Sequence, residues 1–348
     1  MIALIWQHAW NDLGSKLAER LKAAGYEVSV YIKNGQYGRQ GELKDIEGAE
    51  IVLTLLSSSQ EVEEVYLGSG GVFQNAAPSS LFIDLSTSNP RLAKELHALA
   101  AVHDHSFVEA PVEGSFDMFE TGSFRVYVAG EPDNIKRALP ILQALTPDVY
   151  EVGLPGNGSI LKLASQIALA NTMMGIVEFV TFSLVAGIKD DDILRILATN
   201  SSASALALAF GKKIIDDEFI YGVDLQQFFY DLTAALDAAD EYGLALPGLE
   251  TAYQLYDLLV LVGGSKKGIH ALALIYCDED RCTKHGLNWE LAQQAMDVYE
   301  RANEGAYSDY DYEDDDECDD PDCGHHLHHY HDYDDDGPPA MSKYFSPN

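Results

Sequence analysis

Two thiols, five imidazoles and a run of carboxylates fall within fourteen residues, Cys318-Asp-Asp-Pro-Asp-Cys323-Gly-His-His-Leu-His-His-Tyr-His331. Thiolate, imidazole and carboxylate together are the ligand set of Zn, Ni or Cu. Cys318, Cys323, His325, His326, His328, His329 and His331 are therefore the candidate metal ligands. Their spacing fits no closed finger, which points to loose chelation. A solvating acidic segment with incidental histidines reads equally well, and an appended tag is a third reading, weakened by the interruptions at Leu327 and Tyr330. A second thiol pair, Cys277 and Cys282, repeats the spacing of Cys318 and Cys323 and flanks Asp-Glu-Asp-Arg.

The rest of the chain bounds what those groups can serve. With 348 residues and 47% hydrophobic composition it can build two cores, and wholesale disorder is excluded. Acids outnumber bases 56 to 22, for a net charge of −34. From Asp309 onward there are 14 acids and one base, so residues 1–308 keep 42 acids against 21 bases. Phosphate backbones need clustered Lys and Arg, so nucleic acid is not an expected partner. The longest apolar stretch, Ile167 to Gly187, is broken by Asn171 and Glu178, so no membrane span is expected. The opening MIALIWQHAWND lacks a basic leader, and with four cysteines in all the chain reads as cytoplasmic rather than as a disulfide framework.

The first 150 residues alternate two periods. Ile2–Trp6 is a short apolar strand, and Leu13, Leu17, Leu21 and Ala24 share one helical face that Gly25 ends. Strands follow at 27–31, 51–56, 80–85, 106–109, 124–129 and 149–152, with helices at 61–66 and from Pro90, capped by Asn89. Strands alternating with helices predict an α/β fold, a Rossmann-like doubly wound parallel sheet. Beyond Gly156 only helical periods occur: a long one from Ser159 to Ala186, then 190–199, 225–242, 249–262, 266–276 and 288–302. The expected organisation is a Rossmann-like α/β domain over 1–155, an all-α domain over 156–305 joined by the long helix, and a disordered acidic segment over 306–348. The long helices and Leu258-Leu-Val-Leu-Val262 carry enough apolar surface to predict a homodimer.

Several stretches, in order, resemble the β-hydroxyacid dehydrogenase family, of which 3-hydroxyisobutyrate dehydrogenase is typical. Leu13-Gly-Ser-Lys-Leu-Ala-Glu-Arg-Leu21 resembles its first helix, and Asp84-Leu-Ser-Thr-Ser-Asn-Pro90 its D-x-S-T-x-x-P segment. Glu109-Ala-Pro-Val-Glu-Gly-Ser115 resembles its D-A-P-V-S-G-G loop, and Gly122-Ser-Phe to Gly130 the hairpin that follows. Gly156-Asn-Gly-Ser-Ile-Leu-Lys162 resembles the opening of its interdomain helix, and Tyr230-Asp231 stands where a K-D pair is usual. The resemblance runs from about residue 2 to about 275.

It implies nicotinamide-dependent oxidation of a β-hydroxy acid, or the reverse reduction, and the chain's departures from the family pattern make the expected substrate a small polar molecule other than a plain hydroxy acid. Lys162 takes the place of the proton-shuttling lysine, and Gln166, one turn on, that of an asparagine whose amide reaches the same oxygen. Cationic or apolar surroundings can tune a lysine for that task. Glu113, Gly114, Ser115 and Asp231 stand at the substrate, and Ala9, Asn11, Gly14, Lys33, Asn34, Leu56, Thr87 and Tyr230 at the cofactor.

The departures are as informative. Where the family has G-x-G-x-x-G, this chain has Ala9-Trp-Asn-Asp-Leu-Gly14, which keeps only the third glycine and sets Asp12 toward the phosphates. Weak cofactor binding is expected, and Lys33 with Asn34, in place of an acid, favours NADP over NAD. Glu113 replaces a serine that receives a carboxylate, which sets it to pair with Lys162 or to accept a cationic amine. Tyr230 replaces a lysine. The alternative to a divergent reductase is a non-catalytic dehydrogenase-fold scaffold with a metal-binding acidic segment.

Overall fold

The computed structural model describes residues 1–7, 13–33, 46, 48–199, 205–220 and 222–295. The Cys318–His331 cluster, Ala9, Asn11 and Asn34 lie outside them.

The first half is a three-layer α/β unit. Its strands are β1 (Ile2–Gln7), β2 (Val28–Lys33), β3 (Ile51–Leu55), β4 (Leu81–Asp84), β5 (Ser106–Glu109), β6 (Val112–Glu113), β7 (Arg125–Gly130) and β8 (Asp148–Gly153). Between them run α1 (Leu13–Ala23), α2 (Ser59–Leu67), α3 (Val72–Asn75), α4 (Pro90–Val102), α5 (Phe116–Thr121) and α6 (Pro132–Leu145). In β1 every residue from Ile2 to Trp6 is buried, because both faces of the sheet are covered. Ile2, Leu4 and Trp6 pack toward Leu17 of α1 and Ile135 of α6. Ala3 and Ile5 pack toward Val62 of α2 and Leu96 of α4.

The sheet order is β2-β1-β3-β4-β5-β7-β6, with β8 beside β7. The first five strands are parallel. The chain reverses direction between β1 and β3, which opens a crevice at their carboxyl ends. Contrary to the all-parallel expectation, β7 runs antiparallel to β5 and β6. Only the short α5 separates β6 from β7, too little chain for the crossover that a parallel neighbour requires.

The second half is helical. It comprises α7 (Asn157–Val185), α8 (Asp190–Leu197), α9 (Ala205–Ile215), α10 (Leu225–Glu241), α11 (Pro247–Leu261) and α12 (Glu279–Lys284). Its core joins Met173 and Val177 of α7, Phe210 of α9, Phe228 of α10 and Tyr256 of α11. By length and composition α7 could cross a membrane. Here it is the central helix, packed against α9, α10 and α11. The single helix expected over 266–276 is instead two 3-10 segments, Gly264–Lys266 and Ile269–Tyr276. Between them Lys267 and Gly268 are extended, and Gly268 bridges to Asp224.

Candidate active site

Glu109 ends β5 beneath the first turn of α7 and supplies what an N-cap side chain usually does. Its carboxylate accepts from the backbone N–H groups of Gly156 (2.5 Å), Gly158 (3.0 Å) and Ser159 (3.1 Å), and from Ser159 Oγ (2.5 Å). These are orphan donors of a helix start, at the positive end of the helix dipole. A Cβ at Gly158 would sit 2.6 Å from the Tyr127 carbonyl oxygen, so the close approach needs glycine there. Burial raises the Glu109 carboxyl above its ordinary range, with the four donors opposing.

Anchored this way, α7 turns Lys162 and Gln166 inward. Lys162 Nζ lies 3.1 Å from Asp231 Oδ2 on α10, both side chains at most 5% exposed. Gln227, one turn before Asp231, donates from Nε2 to Asp231 Oδ1 (3.0 Å) and to the Ser57 carbonyl (3.2 Å), which ties α10 to the end of β3. Gln166 is 2% exposed and lines the same cavity as Lys162.

The loop after β6 closes the site from the sheet side. Lys162, Gln166, Asp231, Glu113, Gly114 and Ser115 all line one cavity of about 880 Å³. Glu113, however, does not pair with Lys162. It lies across the ladder from Arg125, which holds it at 3.2 Å, and accepts from Tyr127 Oη at 3.1 Å. Arg125 and Tyr127 are two apart on β7 and so share one face, and they neutralise the carboxylate that the sequence set against the substrate. The charge beside Lys162 is likewise an anion, Asp231, rather than the cationic surroundings considered above. A buried polar group facing a cavity without a partner marks a place for a polar ligand. Gln227 Oε1, buried on the cavity wall without a partner among the described residues, is such a group.

The remaining sequence-predicted positions lie at the crevice or away from it. Gly14 sits at the start of α1, and a Cβ there would fall 2.1 Å from the indole of buried Trp6. The surviving glycine therefore serves helix–strand packing. Leu56 is buried after β3 and donates its N–H to Ser86 Oγ (2.9 Å), and that hydroxyl donates to Asp84 (2.6 Å). Burial pushes the Asp84 carboxyl up to about 6 against the hydrogen bonds of Ser86 and Thr54. Thr87 Oγ1 and Ser57 Oγ are buried without partners among the described residues, at the carboxyl ends of β4 and β3. Two unfilled hydroxyls in the crevice fit a dinucleotide. Lys33 ends β2 in register with Gln7. Tyr230 is 37% exposed and does not line the cavity. Among the described residues no group of three or more His, Cys, Asp or Glu is arranged to hold a metal. Gln227 was not singled out in the sequence; its i, i+4 spacing from Asp231 on one helix was the available signal.

Residues 11–153 match the NAD binding domain of 6-phosphogluconate dehydrogenase, and residues 156–276 match the family described as NAD-binding of NADP-dependent 3-hydroxyisobutyrate dehydrogenase. An uncharacterized oxidoreductase of Bacillus subtilis is 27% identical over 270 residues, covering 75% of this chain and 94% of that protein. A 3-hydroxyisobutyrate dehydrogenase of Pseudomonas aeruginosa is 28% identical over 208 residues, covering 57% and 70%. Among solved structures, the Mycobacterium tuberculosis 3-hydroxyisobutyrate dehydrogenase with L-serine superposes with a TM-score of 0.69 at 21% identity, over 80% of this chain and 100% of that one. With the parallel crevice, the helical half and both family matches in order, the chain belongs to the β-hydroxyacid dehydrogenase family of NAD(P)-dependent oxidoreductases.

Proposed function

We propose that this chain oxidises a small polar hydroxy acid, or reduces the corresponding carbonyl, with Lys162 moving the proton. The observation that carries the reading is the buried Lys162–Asp231 pair, set in a cavity that the buried Gln166 also lines. When bound, the nicotinamide supplies or accepts the hydride. Lys162 then gives or takes the hydroxyl proton at Nζ, Asp231 holds the ammonium in place, and Gln166 orients the reacting oxygen through its amide. The backbone at Leu56–Ser57 and the Thr87 hydroxyl would hold the cofactor.

NADP is the proposed cofactor. Lys33, at the carboxyl end of β2 beside β1, stands where a ribose 2′ substituent is read, and a cation there favours the phosphate. The test is nicotinamide absorbance with NADPH and NADH against a panel of hydroxy acids and their carbonyl partners. Turnover that falls about 10²- to 10⁴-fold in Lys162→Met supports the reading. Nucleotide binding without turnover on any such substrate would sink it in favour of a scaffold.

A further inference from the structure

The cavity is rich in cations for so acidic a chain. Six Lys or Arg side chains line it against four Asp or Glu, where the chain as a whole has 22 against 56. Three of the six are already spoken for: Lys16 by Glu120, Arg125 by Glu113, and Lys162 by Asp231. The other three, Lys213, Lys266 and Lys267, form no ion pair among the described residues.

The backbone sets these three around one segment. Leu225 N–H donates to the Lys267 carbonyl (3.0 Å), and Ile269 N–H to that of Val223 (3.1 Å). Lys213, on α9, faces the same end, with its ammonium 5.9 Å from the Phe210 ring centroid; a Cβ on Gly222 would lie 3.3 Å from that ring. On its other side the segment touches the substrate loop, because Phe116 N–H donates to the Gly222 carbonyl (3.1 Å). The lysines therefore flank the segment that meets the Ser115–Phe116 loop on the wall of the same cavity as Lys162.

Among the described residues neither of the two remaining lining carboxylates, Asp224 and Asp117, forms an ion pair with these lysines. Asp224 Oδ1 caps α10 by accepting from Gln227 N–H (2.9 Å), and Asp117 lies exposed on α5. Lys267 is half-buried, and burial alone lowers its pKa, with no carboxylate holding it up. A partly desolvated ammonium without a counter-ion is unfavourable until an anion arrives. Acids elsewhere on the chain are screened beyond roughly 8 Å at physiological salt, so the nearby lysines set the potential an entering ligand meets.

We propose that the end of the cavity lined by Lys213, Lys266 and Lys267 is an anion subsite, so that the substrate is a small hydroxy acid carrying a second oxyanion group, a carboxylate or a phosphoryl. This rests on the dehydrogenase reading only for the identity of the reacting group, and binding without turnover tests it separately.

The probes are succinate, butyrate and inorganic phosphate, titrated calorimetrically into the full chain. Lys267→Gln and Lys213→Met are compared with the parent after their thermal unfolding has been matched to it. Succinate should bind at least about tenfold tighter than butyrate, and each variant should lose about tenfold for succinate while leaving butyrate unchanged. Phosphate binding that is tighter than succinate and equally lysine-dependent supports the subsite and assigns it to a phosphoryl group. Equal affinity for succinate and butyrate, or variants that bind succinate as the parent does, would overturn the proposal. A failed turnover assay with these results intact would count against the dehydrogenase reading alone.

Discussion

Replacing Asp231 by Asn isolates the pair on which the site is built. The charges are 3.1 Å apart with both side chains at most 5% exposed. At an effective dielectric constant of about 20 they attract by about 5 kcal/mol, much of which offsets the cost of removing both from water. The net worth of the pair is therefore small, but breaking it is not: an ammonium left buried without its partner costs about 3–5 kcal/mol. Lys162→Met should be milder, because Asp231 Oδ1 keeps the Gln227 donor at 3.0 Å. Removing both charges, as Lys162→Met with Asp231→Leu, should cost less than the singles together, with a coupling of about 1–3 kcal/mol. Urea unfolding of the parent, both singles and the double measures this directly. Additive costs would show that the two groups do not interact as the geometry requires. An Asp231→Asn protein as stable as the parent would refute the buried pair itself.

Three further expectations follow from other parts of the fold. Gly14→Ala should destabilise by about 1–3 kcal/mol, since the new methyl meets the Trp6 indole, and Trp6→Leu in the same chain should recover part of that; equal stability of Gly14→Ala and parent would contradict the packing. Asp84, with its carboxyl raised to about 6, is neutral in both folded and unfolded states below about pH 4 and charged in both above about pH 6. Stability should therefore fall as pH rises through that window, by up to about 3 kcal/mol, and Asp84→Asn should flatten the decline in denaturant midpoints. Phe182 and Val185 are 78% and 83% exposed on α7, so sedimentation should give a dimer that Phe182→Glu converts to monomer, whereas a monomeric parent at micromolar concentration would remove that expectation.

Much of the architecture was legible because it rests on period. The apolar run of β1 and the Leu13–Leu17–Leu21 stripe of α1 could be read from residue types, and both are buried as read. Asn89 before Pro90 announced α4, and its Oδ1 does accept from Arg91 N–H (2.7 Å). What escaped was governed by other forces. Pro140 interrupts the helical pattern of α6 yet is accommodated inside it. The reversal of β7 is a matter of connection length, and the break at Lys267–Gly268 depends on a bridge to Asp224 more than forty residues away. At the site, the family resemblance pointed to Lys162, Gln166 and Asp231, but not to who pairs with whom. Glu113 is the clear case: its charge suggested Lys162, and the cross-strand register gave it Arg125 instead.

That register changes what the altered loop means. Where a serine would leave the cavity wall neutral, Glu113 brings a negative charge, and β7 answers it with a guanidinium and a phenol on the same face. A substitution that merely eroded a site would leave this half-buried carboxylate uncompensated. Here the compensation is complete on both oxygens, Oε1 to Arg125 and Oε2 to Tyr127. Asp231 follows the same rule, with Oδ2 to Lys162 and Oδ1 to Gln227. Glu113 and Asp231 are thus already balanced within the protein, whereas the lining Lys213, Lys266 and Lys267 form no ion pair among the described residues. On the proposed reading an incoming anion is drawn toward those lysines, and the hydroxyl carbon it carries reaches toward Lys162 and Gln166.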